Sequence, residues 1–341
     1  MGIVAEVDGT IKFLAVVEVA RVRAIGFSEF GGPEVFKLLE LEEPHAGEGE
    51  VRIRVHAAAV NPSDSVSRSG AGLAIWRYYD PQFQYPPPPY IVGWDIAGTV
   101  DEIGPGTDTD LAIGDRAIAI TTPMSERAGY AEYVVAPIES VVPAPNNVDD
   151  AAACTLPMSG LTARLALDTL ALPAGATVAV TGAAGTVGGY VVQLAKADGL
   201  RVVADAAPPD EALVKELGAD WVVPRGDDVA QHIRAVVSDG VDGLVDAALQ
   251  GDVVAGAVRD GGTVVAVRPH VGPTDRGVSW RQIYVGTSYQ RDRARLDQLR
   301  RQVESGALTL RVADTYPADR AEQAHRRMEA GGVRGRLVLT F

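Results

Sequence analysis

The chain has 341 residues, 47% apolar and 22% charged, which describes an ordinary globular protein with room for two separately cored domains. Its 31 basic and 45 acidic residues leave a net charge of -14, which repels nucleic acid and anionic membrane surfaces and argues against both as partners. A single cysteine, Cys154, excludes internal disulfides and multi-cysteine metal sites and points to a reducing cytoplasm.

Residues 1–20 read as an extension. Its apolar piece, 13–17, is surrounded by Glu6, Asp8 and Glu18 and lacks the basic start of a secretory signal. From Val22 to about Val142 the pattern is short and strand-like. Val51, Ile53 and Val55 alternate with Arg52, Arg54 and His56, which predicts a strand buried on one face. Similar pieces occur at 96–103, 116–120 and 132–135, divided by turns at Gly104, Pro105, Gly106 and Gly114. Between two of these pieces, seven of the chain's twenty aromatic residues crowd into the stretch from Trp76 to Trp94. Two readings stand side by side: a wall for a flat apolar substrate, or a loop that packs its rings on its own domain.

After Pro143 strands and helices alternate. The β-branched run at 177–181 ends in Gly182, Ala183, Ala184, Gly185, Thr186, Val187, Gly188 and Gly189, and Val187, Val191 and Leu194 open an apolar helical pattern. Such a strand, tight turn and helix N-terminus make a phosphate cradle, because glycines admit the pyrophosphate and the helix start offers free N–H groups and a positive dipole end. Strands at 201–204, 221–223, 243–246 and 263–267, with helices between them through Leu213 and Leu217 and through Val229, Ile233 and Val236, predict a doubly wound parallel sheet. The strand-like run 283–289 reads as its edge. Beyond Arg291, a helix through Leu296 and Leu299, a strand at 308–312, a helix over 318–328 and a last strand at 337–341 return the chain to its first domain. The division is thus 1–20 as extension, 21–145 with 290–341 as one domain, and 146–289 as the other.

Several ordered motifs together resemble the zinc-independent quinone oxidoreductase (zeta-crystallin-like) branch of the medium-chain dehydrogenase/reductase superfamily. They are Gly31-Gly32-Pro33-Glu34, Glu50-Val51, Val60-Asn61-Pro62-Ser63-Asp64, Gly93-Trp94-Asp95-Ile96-Ala97-Gly98, Gly114-Asp115-Arg116, Leu161-Thr162-Ala163, the turn 182–188 and Gly335-Arg336. The resemblance covers about Val22 to the C-terminus. It implies an α/β protein in which a GroES-like β-barrel catalytic domain joins a Rossmann domain, with cofactor and substrate meeting between them. Zinc alcohol dehydrogenases of this superfamily carry cysteine, histidine and usually cysteine where Asn61, Trp94 and Met158 stand, so no zinc site is expected.

Without a Lewis acid, quinones and α,β-unsaturated carbonyls become the expected hydride acceptors. By the same resemblance Asn61 lies near the nicotinamide ribose or substrate, Thr162 near the nicotinamide, and Asp64 closes the set or caps a turn. Tyrosines of relatives are replaced by Val66 and Gly72, which leaves Tyr78, Tyr79 and Tyr85 as substitutes, Tyr79 being the one assigned to catalysis. The cofactor is expected on Gly182, Ala184, Gly185, Thr186, Val187 and Gly188. Asp205 falls where an acid would select NADH. On the family pattern, however, the selecting position is Ala206, which leaves room for the extra phosphate of NADPH, with Arg225 supplying charge. NADPH is therefore expected, with NADH the alternative. Pairing through the edge strand implies a homodimer. Two rival functions are an enoyl-thioester reductase and a non-catalytic cofactor-binding structural or regulatory protein.

Overall fold

A computed structural model describes residues 4–7, 10–13 and 20–341. The extension lies largely outside the described residues, as does all but Phe13 of its apolar piece 13–17; Val4–Val7 pairs antiparallel with Thr10–Phe13.

The N-terminal half builds a barrel from two sheets. Glu50–Val60 pairs antiparallel with Asp95–Ile103, with Tyr133–Pro137 and with the returning strand Arg336–Thr340. A second sheet holds Arg21–Phe27 between Lys37–Glu42 and Tyr90–Ile91. The alternation predicted along Glu50–Val60 holds as far as Val55, where a register shift against Asp95–Ile103 changes its phase. Side chains repeat every second residue, so one extra residue turns those that follow to the opposite face. Val51, Ile53, Val55, Ala58 and Val60 therefore fill the barrel core, while Ala57 and Ala59 pack against the core of the second domain. Two short helices leave the barrel towards that domain: α1, Pro62–Arg68, and α2, Gly72–Tyr79.

Helix α3, Pro157–Leu170, starts the second domain, and a proline in its first turn suits a position with no N–H to bond. Six parallel strands follow: β1, Thr177–Thr181; β2, Arg201–Ala206; β3, Trp221–Pro224; β4, Val241–Asp246; β5, Val258–Ala266; and β6, Ser279–Gln282. Helix α4, Thr186–Ala197, joins β1 to β2. The strands lie in the order 3-2-1-4-5-6, that of a doubly wound dinucleotide-binding sheet. The order reverses between β1 and β4, and ligands of such sheets bind at the carboxyl ends of the strands at that point. Val178, Ala179, Val180, Val202, Val203 and Leu244 are fully buried, because helices cover both faces.

Two sequence expectations are corrected. The edge strand is β6, 279–282, and not 283–289: after Gln282 the chain leaves the sheet, sends Ile283 and Tyr284 into the space below and turns helical over Val285–Ser288. Likewise the strand expected at 308–312 runs instead over Val312–Pro317. Leu308 and Leu310 pack into the second domain's core, and the Thr309 N–H donates to Gln193 at 2.8 Å, so this stretch fastens the two domains before pairing begins. Helix α5, Ala321–Glu329, then leads into Arg336–Thr340, which completes the barrel.

Candidate active site

The cleft between the domains has the glycine turn on one side. Gly182 stands at φ +68°, a conformation that side chains rarely adopt, and a Cβ on Gly188 would lie 2.3 Å from the Gly182 carbonyl oxygen. Glycine at 188 thus lets α4 begin hard against the end of β1, with the N–H groups of its first turn free of helical partners and open to the cleft. Two side chains hold this cradle from outside. The Asp205 carboxylate accepts from the N–H groups of Gly182 at 2.7 Å and Ala183 at 3.3 Å. Arg311, from the segment returning to the barrel, donates to the carbonyls of Ala184 at 3.1 Å and Gly185 at 2.8 Å. Asp205 is buried and braces the turn from behind through one carboxylate oxygen, the other having no hydrogen-bond partner among the described residues. Ala206 ends β2, and the Arg225 N–H donates to its carbonyl at 3.1 Å, so the two residues expected to select the cofactor are neighbours across adjacent strands. Close by, Arg334 grips Asp210 through two hydrogen bonds of 2.6 and 2.7 Å.

The barrel supplies the opposite wall. Asn61 precedes α1, and the Asp64 carboxylate closes the helix start, accepting from the Asn61 N–H at 2.8 Å and the Gly93 N–H at 3.0 Å. Asp64 is wholly buried and does not reach the cleft; burial pushes its pKa up to about 7 despite those two hydrogen bonds. Of the two places expected for Asp64, its carboxylate takes the turn-capping one, pointing back at the start of α1. The Asn61 amide donates to Asp95 at 2.8 Å and leaves its own oxygen without a partner among the described residues. Asp95 also accepts from the Met158 N–H, and burial raises its pKa to about 6.

Aromatic side chains form the rest of this wall. Trp76 and Tyr79 from α2 meet Trp94 from the barrel and Tyr284 from the strand-end segment of the other domain. Tyr79 stacks on Tyr284 with ring centroids 5.0 Å apart, Trp76 lies 5.1 Å from Tyr284, and Trp94 6.1 Å from Trp76. The Tyr79 hydroxyl donates to the Ile283 carbonyl at 3.0 Å, and burial pushes its pKa up to about 12. Phe83, Tyr85 and Tyr90 turn the other way and pack with Phe27 and Phe30, so the aromatic stretch divides between both readings, cleft wall and barrel packing.

Of the sequence-predicted residues, the structure brings Thr162, Tyr79, Gly182, Gly185, Thr186, Val187 and Gly188 to one cleft. Asn61 and Asp64 stand one layer behind its wall, Ala184 forms the floor of the turn, and Ala206 with Arg225 lies farther along the sheet. Sequence reasoning missed Tyr284, Arg268, Arg311 and Arg334. The first reads as part of a strand, and the arginines come from segments far from the glycine turn with no local pattern to mark them. Arg336 stood in a recognised motif without a role; it lines the cleft almost wholly buried and donates to Ser159.

Comparison with known proteins places this arrangement in a family. The family model described as an alcohol dehydrogenase GroES-like domain matches residues 47–146, and one described as a zinc-binding dehydrogenase matches 217–339. A quinone oxidoreductase of Mus musculus is 30% identical over 339 residues, 93% of this chain and 97% of that protein. An NADPH-dependent alkenal/one oxidoreductase of Arabidopsis thaliana is 32% identical over 263 residues, 74% of this chain and 64% of that one. Among solved structures, the quinone oxidoreductase from Coxiella burnetii superposes with a TM-score of 0.78 at 27% identity, over 94% of this chain and all of that chain. The chain belongs to the medium-chain dehydrogenase/reductase superfamily, in its quinone oxidoreductase branch. It is an α/β protein with a GroES-like domain and a Rossmann domain. Zinc does not fit the residues present: the Asn61 amide and the Met158 N–H both donate to Asp95, Trp94 offers no ligand atom, and among the described residues no three His, Cys, Asp or Glu side chains are placed to hold a metal.

Proposed function

We propose that the protein is an NADPH-dependent reductase that passes hydride to a quinone or an α,β-unsaturated carbonyl without zinc. One observation carries this reading: an apolar aromatic slot faces a dinucleotide cradle across a single cleft, where a flat acceptor would lie against a nicotinamide. Bound there, the dihydronicotinamide supplies the hydride. The chain's own part is to align. The N–H groups at the start of α4 hold the pyrophosphate and Thr162 borders the nicotinamide, while Asn61, one layer behind the wall, positions it through its bond to Asp95. Trp76, Tyr79, Trp94 and Tyr284 stack on the acceptor. No carboxylic acid, histidine, cysteine or lysine lines the cleft among the described residues, so solvent is the proton source in this reading.

The choice of NADPH rests on Ala206, which offers no acid to a ribose diol, and on Arg225 and Arg334 around the same strand end. A spectrophotometric screen of NADPH and NADH against several quinones, enones and enoyl thioesters tests the reading. NADPH oxidation with quinones or enones is the expected result; failure to bind either nicotinamide overturns it. A homodimer through the free edge of β6 and a cytoplasmic place of work belong to the same proposal, the latter supported by a lone cysteine that is fully buried.

A further inference from the structure

Arg268 stands apart from the chain's other arginines. It follows β5, lines the cleft half-buried and makes no hydrogen bond or ion pair among the described residues. Burial alone lowers its pKa, with no acid near enough to oppose that fall. The surroundings are unusual for a protein of net charge -14: no aspartate or glutamate lines the cleft, and its two charged side chains are Arg268 and Arg336. A desolvated guanidinium without a partner is costly unless an anion arrives.

The sheet register locates that anion. Ala266 of β5 pairs with Gln282 of β6, and the segments that leave these two neighbouring strand ends bring Arg268 and Tyr284, part of the aromatic wall, to the lining of the same cleft. The glycine turn ends β1, two strands away across β4, about 10 Å at the usual spacing. The phosphates of a dinucleotide belong at that turn and beyond it towards β2, whereas the nicotinamide end, where Arg268 stands, brings no anion of its own. We infer that Arg268 is a specificity residue that binds an oxyanion, a carboxylate or phosphate, carried by the acceptor in the aromatic slot. The inference rests on the proposed reductase function and narrows its substrate class to acidic conjugated carbonyls. The guanidinium pairs with the acid group in fork geometry while the conjugated part stacks between the rings.

The test compares 4-phenyl-3-buten-2-one with its 4-carboxyphenyl analogue on the wild-type chain and on Arg268→Gln and Arg268→Lys. Readouts are kcat/KM, cofactor affinity, and quenching of the cleft tryptophans by each acceptor alone. Wild type is expected to prefer the carboxylate. Arg268→Gln should weaken its binding and kcat/KM on the order of 10- to 100-fold while changing the neutral enone by less than about threefold, and Arg268→Lys should keep part of the preference. Cofactor affinity should not move, and the melting temperature of Arg268→Gln should hold or rise, because the unpaired buried charge is gone. Equal losses for both acceptors, or none, overturn the inference. Loss of cofactor affinity with an unchanged acceptor ratio overturns it too, and assigns Arg268 to the cofactor's phosphates. If wild type binds no nicotinamide, it is the reductase reading that fails, and quenching by the carboxylate acceptor still decides whether Arg268 holds an anion.

Discussion

At the scale of single residues, two hydroxyl and guanidinium groups decide what the cleft can do. Tyr79 gives its hydroxyl to the Ile283 carbonyl across the domain boundary, and with a pKa near 12 it holds its proton tightly. It acts in this geometry as a clamp on α2. Tyr79→Phe removes one hydrogen bond of about 1 kcal/mol, so acceptor KM should rise roughly three- to tenfold with kcat little changed. A fall in kcat of about a hundredfold or more would instead make Tyr79 the proton donor. Arg225 is exposed beside Ala206 and its side chain makes no hydrogen bond among the described residues. Arg225→Ala should weaken NADPH binding by about 10- to 100-fold and leave NADH unaffected, as read by fluorescence titration. Equal effects on both cofactors would remove it from phosphate recognition.

At the scale of elements, α1 and α5 are tied by a buried polar chain. Arg68 donates to His325 Nδ1 at 2.9 Å, which leaves Nε2 to donate to the Tyr130 hydroxyl at 3.1 Å, and that hydroxyl approaches Asp64 at 3.4 Å. Burial, with Arg68 adding repulsion, lowers the His325 pKa from 6.5 to about 3. The unfolded chain therefore binds a proton below 6.5 that the folded chain refuses. The stability involved is fully present above pH 6.5 and is lost at roughly 1.4 kcal/mol per pH unit as pH falls towards 3. Asp64, raised to about 7, has the opposite slope: the folded state keeps a proton that the unfolded state has released, so its contribution declines as pH rises from about 4 to 7. His325→Gln isolates the histidine. The stability difference between wild type and variant, from urea unfolding, should shift by about 2–3 kcal/mol between pH 6.5 and 4.5, and a constant difference would show that His325 does not titrate in this way.

Across the whole molecule, two cores meet along Glu50–Val60, Arg311 and the aromatic slot, and the active cleft exists only because they do. The free edge of β6 predicts a homodimer, which light scattering would report as twice the 35.8 kDa chain mass; a mass of one chain would refute it. Strand-turn-helix patterns are local, so the doubly wound sheet and the cradle at 182–188 were legible in the chain itself, whereas the non-ligating Asn61, Trp94 and Met158 had meaning only through the family resemblance. Position along the sequence left open whether Asp64 caps its own helix or faces the reactants, and which aromatics turn to the cleft while Phe83, Tyr85 and Tyr90 pack on the barrel. The end of β6 also misled, because the apolar Ile283, Tyr284 and Val285 continue a strand-like pattern while their burial is in the cleft. Sequence by itself determined that a glycine turn opens a helix at the first strand of a doubly wound sheet, since glycine geometry and hydrophobic period are properties of a local stretch. Only the tertiary structure decided what faces that cradle, because Tyr79, Tyr284, Arg268 and Arg336 come from four distant segments that burial and sheet register bring to one place.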